Sequence, residues 1–296
     1  MGGDNDAEGA SVDRWAQAGV GRRRASGCKT GFTLLELLVV ISIISMLMSI
    51  MLPSLKQAKE QARQVVCLSN IRQVTAAWFG YTVDCDDRLC SPATEFNDEA
   101  IWGQLAIPPY NHWVADGPGM PFNAMCGTEQ ALEEGALWSY LEVAKVYKCE
   151  SDRMGFIRSY AMNHAMGDAR ESCGEKNYTS FGEIRTPSQR LVLVDAKLSP
   201  VRDPGGWMHG VGPEGSFEPI DTHSMRWLPQ AELVTARHNR GCMMSFADLH
   251  MEQWRWRDER TLACAAGEMD WASASEGNKD IERLMPLVKG VQYRQQ

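Results

Sequence analysis

No HExxH, GxSxG or CxxC motif occurs in the 296 residues, nor does a phosphate-binding Walker loop or a convincing dinucleotide fingerprint. The common zinc protease, serine hydrolase, dithiol redox and nucleotide-binding chemistries therefore have no local signature here. Basic charge is also in short supply: 30 Lys plus Arg stand against 38 Asp plus Glu, a formal net charge of -8. That balance argues against a long nucleic-acid footprint. No internal repeat is evident, and with 44% hydrophobic and 23% charged residues the chain is neither collagen-like nor disordered by composition. Most of it should fold around a sizeable core.

What the chain does have is one long apolar run. Residues 1–31 form a polar leader with six glycines before Gly31, acids up to Asp13 and a basic border at Arg22, Arg23, Arg24 and Lys29. Phe32 to Leu52 then gives 21 residues with one ionisable side chain, Glu36. As a helix this stretch covers about 32 Å, the hydrocarbon thickness of a bilayer. Ser42, Ser45 and Ser49 can return their hydroxyls to preceding carbonyls and so do not oppose insertion. A removed secretory signal and an unusually apolar core helix are the two alternatives. The basic border places the amino end in the cytoplasm and the large carboxyl portion outside, periplasmic or on the cell surface, although Lys56 and Lys59 blur the asymmetry.

Pro53 removes one helical N–H and predicts a bend or pause without ending the helix. Beyond it, Cys67, Ile71, Val74, Trp78 and Tyr81 recur at steps of four, three, four and three, which is one apolar face. A continuous helix from Phe32 to about Gly80 would be about 74 Å long. The economical arrangement leaves residues 32–52 in lipid and packs the amphipathic 53–83 against a soluble sheet.

Residues 84–257 read as an α+β domain. Turn signals crowd Asp84 to Asn123, and ALEEGALWSYLEVAKVYKCESD offers a short helix facing inward through Leu137, Tyr140 and Leu141, weakened at Gly135. Arg190 to Ala196 reads as a strand. CMMSFADLHMEQWRW reads as an antiparallel hairpin turning around Ala247 to His250, with a turn or bulge changing its register. Residues 258–296 read as an accessory extension, with Leu262, Trp271 and Leu284 as possible core contacts.

The segment GFTLLELLVVISII resembles the processing and assembly segment of prepilins and type II secretion pseudopilins. The resemblance implies cleavage after Gly31 by a membrane prepilin peptidase, methylation of the new amine on Phe32, and use of Glu36, the fifth mature residue, to complement a neighbouring subunit's terminal amine. It implies pilin-like subunits or a secretion assembly as partners. Independently, a carboxylate entering lipid favours a partner, with a protonated interfacial Glu36 as the alternative. A second resemblance rests on GALWSYL, VYKCESD, SYAMN, TPSQRLVLVDA and the spacing His238-x9-Asp248, and is to a large pilin-like family ending in His-x9-Asp-Gly. Here Leu249 replaces the glycine, at a steric cost if the turn needs a positive φ. The resemblances imply a pilin-like fold with a predominantly antiparallel sheet; neither implies an enzyme or a cofactor.

Other candidates are weaker. Eight cysteines follow the leader, and an outward compartment permits disulfides, Cys85–Cys90 and Cys149–Cys173 among them. His238 and Asp248 have a structural reading, bonding to each other or to a nearby carbonyl to pin the hairpin; with His250 they also have donor types suited to a metal. His209, Glu214, Asp221 and His223 fall in turn-prone sequence and read as solvated loops or an envelope enzyme's site. Trp207, Trp227, Trp254 and Trp256 read as sheet packing or as a surface for a cell-envelope glycan or protein ligand.

Overall fold

In a computed structural model of the chain, the described residues are 31–92, 113–114, 129–153, 157–167, 171–172, 175–197, 201–202, 208–209, 220–221, 226–227, 234–270 and 273–288. Residues 1–30, Cys126, Cys173, Glu214, His223, Trp207 and Trp271 lie outside them. The chain divides into two units, Met1–Pro53 and Ser54–Gln296.

In the first unit, the apolar run is the opening part of helix α1 (Leu34–Asp84). Its side chains are exposed throughout, from Leu34 at 82% to Val40 at 44%. Water is a poor solvent for such a surface, and the run is long and apolar enough to cross a membrane. As expected, Ser42, Ser45 and Ser49 donate to the carbonyls of Leu38, Ile41 and Met46, each at 2.7 Å. Pro53 sits inside the helix.

In the second unit, the rest of α1 buries the stripe read from its spacing: Cys67, Ile71, Val74 and Trp78 are fully buried and Tyr81 nearly so. On the same side of the helix, before Cys67, half-buried Arg63 pairs with half-buried Glu60 at 3.8 Å, one turn apart. The stripe packs on a four-stranded antiparallel sheet in the order β1 (Tyr160–Met162), β2 (Leu191–Asp195), β3 (Gly241–Phe246), β4 (Met251–Arg255). Tyr160, Met162, Val192, Leu193 and Met243 join the cluster beneath α1. Ala161, Leu191, Val194, Cys242, Met244 and Phe246 form a second cluster on the other face. Strand residues alternate between faces, yet adjacent Val192 and Leu193 share one. A bulge between Leu191 and Leu193, where β2 pairs with β3, accounts for this.

The register change expected within the final hairpin is therefore one strand away. β3 and β4 pair regularly from Met251 opposite Ser245 to Arg255 opposite Gly241. The turn between them puts Leu249 at φ +69°, so the chain keeps the left-handed turn without the glycine that suits it. Replacing Leu249 by Gly is expected to stabilise the protein by about 0.5–1 kcal/mol, relief of the steric cost being partly offset by the looser unfolded chain. A denaturant midpoint that falls instead would contradict this reading.

Among the residues read as an accessory extension, Leu284 and Leu262 make the core contacts allowed for them, and others join them. Two helices, Glu259–Ala266 and Lys279–Val288, contribute Cys264, Ile281, Leu284 and Val288 to the cluster on the second sheet face. Asp258 caps the first by accepting from the Arg260 amide, and buried Asp280 accepts from the amides of Arg257 and Asp258. The first three strands are thus covered on both faces, under α1 and beneath these helices, while edge strand β4 leaves Glu252, Gln253 and Arg255 exposed. The expected helix near Leu137 is split into Glu129–Glu133 and Trp138–Leu141 around Gly135, where a Cβ would lie 2.6 Å from the Trp113 carbonyl. Leu137 is buried and Leu141 half-buried, but Tyr140 is exposed and donates its hydroxyl to Asp84.

Candidate functional site

The start of α1 is built by a threonine and a glutamate three residues apart. The Thr33 amide and hydroxyl donate to Glu36 Oε2 at 2.9 and 2.8 Å, and the Glu36 amide donates back to the Thr33 hydroxyl at 3.2 Å. This reciprocal capping box satisfies first-turn donors that lipid would leave bare. It also holds the carboxylate at the exposed tip of the apolar helix, two residues in, where the helix dipole favours negative charge. Gly31, by contrast, is open: a Cβ there meets no atom of the described residues within 4 Å.

A second cluster of chemistry lies in the core of the Ser54–Gln296 unit. Cys67 from α1, Cys149 from the turn after a 3-10 helix (Ala144–Tyr147), Asp195 at the end of β2 and His238 before β3 are all fully buried. His238 Nε2 is 3.1 Å from Cys149 Sγ and 3.3 Å from Asp195 Oδ2, and its Nδ1 is 3.5 Å from Glu60 Oε1. Arg237 reaches Asp152 at 3.1 Å and Asp195 at 3.5 Å, and also donates to the Ala196 carbonyl. Burial works against a charged His238, but its bonds to Asp195 and Cys149 prevail and lift its pKa to about 10. The bond from Cys149 lowers the Cys67 thiol, while the same bond, with burial, pushes Cys149 up.

This geometry corrects several expectations. His238 and Asp248 do not bond to each other: His238 belongs to the buried cluster, while Asp248 is exposed and bonds the amide and ring of His250 across the turn. The hairpin is pinned by Asp248 with His250, whose ring also stacks on Phe246 at 4.2 Å, and the metal reading of His238, Asp248 and His250 as one group does not hold. Cys85, Cys90 and Cys149 are free thiols, so the Cys85–Cys90 bridge is not made and Cys149 faces Cys67. Trp256 is buried with its indole N–H on the Thr235 carbonyl, and Arg283 lies over Trp254 at 4.1 Å, which leaves neither as an open aromatic platform. His209, Asp221 and Trp227 fall on short two-stranded pairs (Val201–Arg202 with Met208–His209, Ile220–Asp221 with Arg226–Trp227).

Sequence reasoning placed Cys67 on the buried stripe and singled out His238, but did not group them with Cys149 and Asp195. Those four positions are far apart in the chain, and only the α1-on-sheet packing joins them. Asp195 carried a faint signal, as an acid ending an otherwise apolar strand.

Residues 27–52 match the prokaryotic N-terminal methylation motif. The chain is also similar to the type II secretion system core protein G of Pseudomonas aeruginosa, 29% identical over 90 residues, which are 30% of this chain and 61% of that protein. The similarity thus spans about three-fifths of that relative's length. No solved structure matches. The matched motif covers the uncrowded glycine, the capping box and the exposed apolar part of the helix. Over this segment the chain is prepilin- and pseudopilin-like, and its amino-terminal helix is long and apolar enough to serve as a membrane anchor.

Proposed function

We propose that the chain is a structural subunit of an envelope assembly, cut by a prepilin peptidase between Gly31 and Phe32 and methylated on the exposed amine. It stands with its amino end at the cytoplasmic side of a bacterial inner membrane and residues 54–296 outside. The apolar helices of neighbouring copies lie side by side, and Glu36 of one accepts the terminal ammonium of the next. The observation that carries this reading is the placement of Glu36: a carboxylate at the exposed rim of a lipid-facing helix, in a segment that matches the methylation motif. Its bonds to Thr33 explain how it is tolerated in an isolated subunit. A neighbour's amine would then exchange a local partner for a cationic one in low dielectric, where charge-assisted bonds are strong. The resemblance to a secretion-system core protein favours envelope transport as the setting. The chain's work in this reading is noncovalent assembly, with its polar outer domain meeting other subunits or cargo.

In-cell crosslinking with the native processing machinery tests this. Wild type is expected to give adducts between copies and with other proteins carrying the same motif. Glu36→Leu is expected to be cut normally yet to lose the self-adducts. Undiminished self-adducts in processed Glu36→Leu would remove Glu36 from the assembly.

A further inference from the structure

We propose that Cys67, Cys149, His238 and Asp195 form a binding site for one zinc-like divalent cation. The sulfur atoms of the two cysteines and a ring nitrogen of His238 lie within 4.8 Å of one another, all fully buried. Asp195 Oδ2 adds an oxygen 3.3 Å from His238 Nε2. Bonds of about 2.0–2.2 Å to nitrogen and oxygen and about 2.3 Å to sulfur, at tetrahedral angles, need separations of about 3.3 Å between N and O and about 3.5 Å between N and S. The first is already met. The second, at 3.1 Å, requires sulfur to retreat by a few tenths of an ångström.

The donors suit a borderline-soft metal: two thiols, an imidazole and a carboxylate. They are also under-used as they stand. The oxygens of fully buried Asp195 are held only at ion-pair range, 3.3 Å from His238 and 3.5 Å from Arg237, and Nδ1 of His238 lies 3.5 Å from Glu60, so none of the three makes a well-formed hydrogen bond among the described residues, an arrangement that costs free energy in a core. Arg237 is shared between the carboxylates of Asp195 and Asp152. A disulfide between Cys67 and Cys149 would use the sulfurs but leave the Asp195 oxygens and the imidazole facing an uncharged bridge. A cation at the centre engages all four groups at once. On binding, it replaces the thiol protons and any second proton on the imidazole, which pass to solvent; no electron is transferred. Glu60, 3.5 Å from Nδ1, is placed to orient the ring, as carboxylates behind histidine ligands do.

The site joins α1, the Cys149 turn, β2 and the segment before β3, so the ion fastens the soluble end of the helix to the sheet. The inference does not rest on the assembly reading, since it concerns the core of the outer domain alone. Its test uses the full chain purified in detergent with thiols kept reduced. One equivalent of Co2+ is expected to give the intense visible bands of a tetrahedral thiolate complex, and Zn2+ to displace them. Cys149→Ser should abolish the spectrum and His238→Gln should alter it. If either variant fails to fold, the wild-type protein decides: bound Zn2+ should protect two thiols, mapping to Cys67 and Cys149, from alkylation until a chelator is added. The proposal is overturned if the reduced chain takes up no stoichiometric metal. It is equally overturned if protein isolated unreduced from the envelope carries a Cys67–Cys149 disulfide.

Discussion

Truncating Trp78 to Ala is expected to destabilise the protein by about 3–5 kcal/mol, the range for emptying a large aromatic site. Trp78 is fully buried at the centre of the stripe that α1 lays on the sheet, with Phe181 tilted against it at a ring separation of 6.1 Å. No local collapse can fill that space, because sheet residues and helix are held by separate backbone frameworks. A loss of this size is roughly a fifth or more of the stability of an ordinary domain. Trp78→Phe should lose far less, about 1.5 kcal/mol or under, because the indole Nε1 has no hydrogen-bond partner among the described residues and its removal relieves a buried unpaired donor. Denaturant unfolding of the full chain in detergent, followed by circular dichroism, distinguishes the two. Equal effects of Ala and Phe would mean that the stripe does not pack as described.

The second large effect is on maturation and leaves the fold alone. Gly31→Val should keep the stability of the wild type, since the position is open, yet leave the leader attached in nearly all of the protein. The physical reason is access: a β-branched side chain beside the scissile bond narrows the backbone's choice of conformation and blocks close approach by a peptidase. Amino-terminal mass analysis of protein expressed with its own processing enzyme reads the outcome. Normal cleavage of Gly31→Val would place the cut, or the reason for the glycine, elsewhere.

The two halves of α1 were legible because each obeys a rule that a short window displays. Residues 32–52 show unbroken apolarity, and residues 67–81 show steps of three and four, every one of which is buried. The final hairpin was readable for the same reason. Local pattern does not show where a bulge falls, so the shared face of Val192 and Leu193 was hidden until β3 was in place beside β2. Nor does it show that Ile281, Leu284 and Val288, although helically spaced, find their partner on the second sheet face. At the amino-terminal site, Gly31, Phe32 and Glu36 lie within six residues and were found together. The buried cluster spans Cys67 to His238 and escaped notice. His238 was paired with the acid ten residues along the chain, when the acid facing it in space is Asp195.

The central claim is that residues 32–52 lie in a membrane and that the chain is cut before Phe32. Fractionating cells that express the full chain with its processing machinery, and measuring the amino-terminal mass of the recovered protein, tests it most directly. The account predicts protein that stays with alkali-washed membranes and begins at a methylated Phe32. Protein in the soluble fraction that retains residues 32–52, with that stretch shielded inside its own fold, would contradict it.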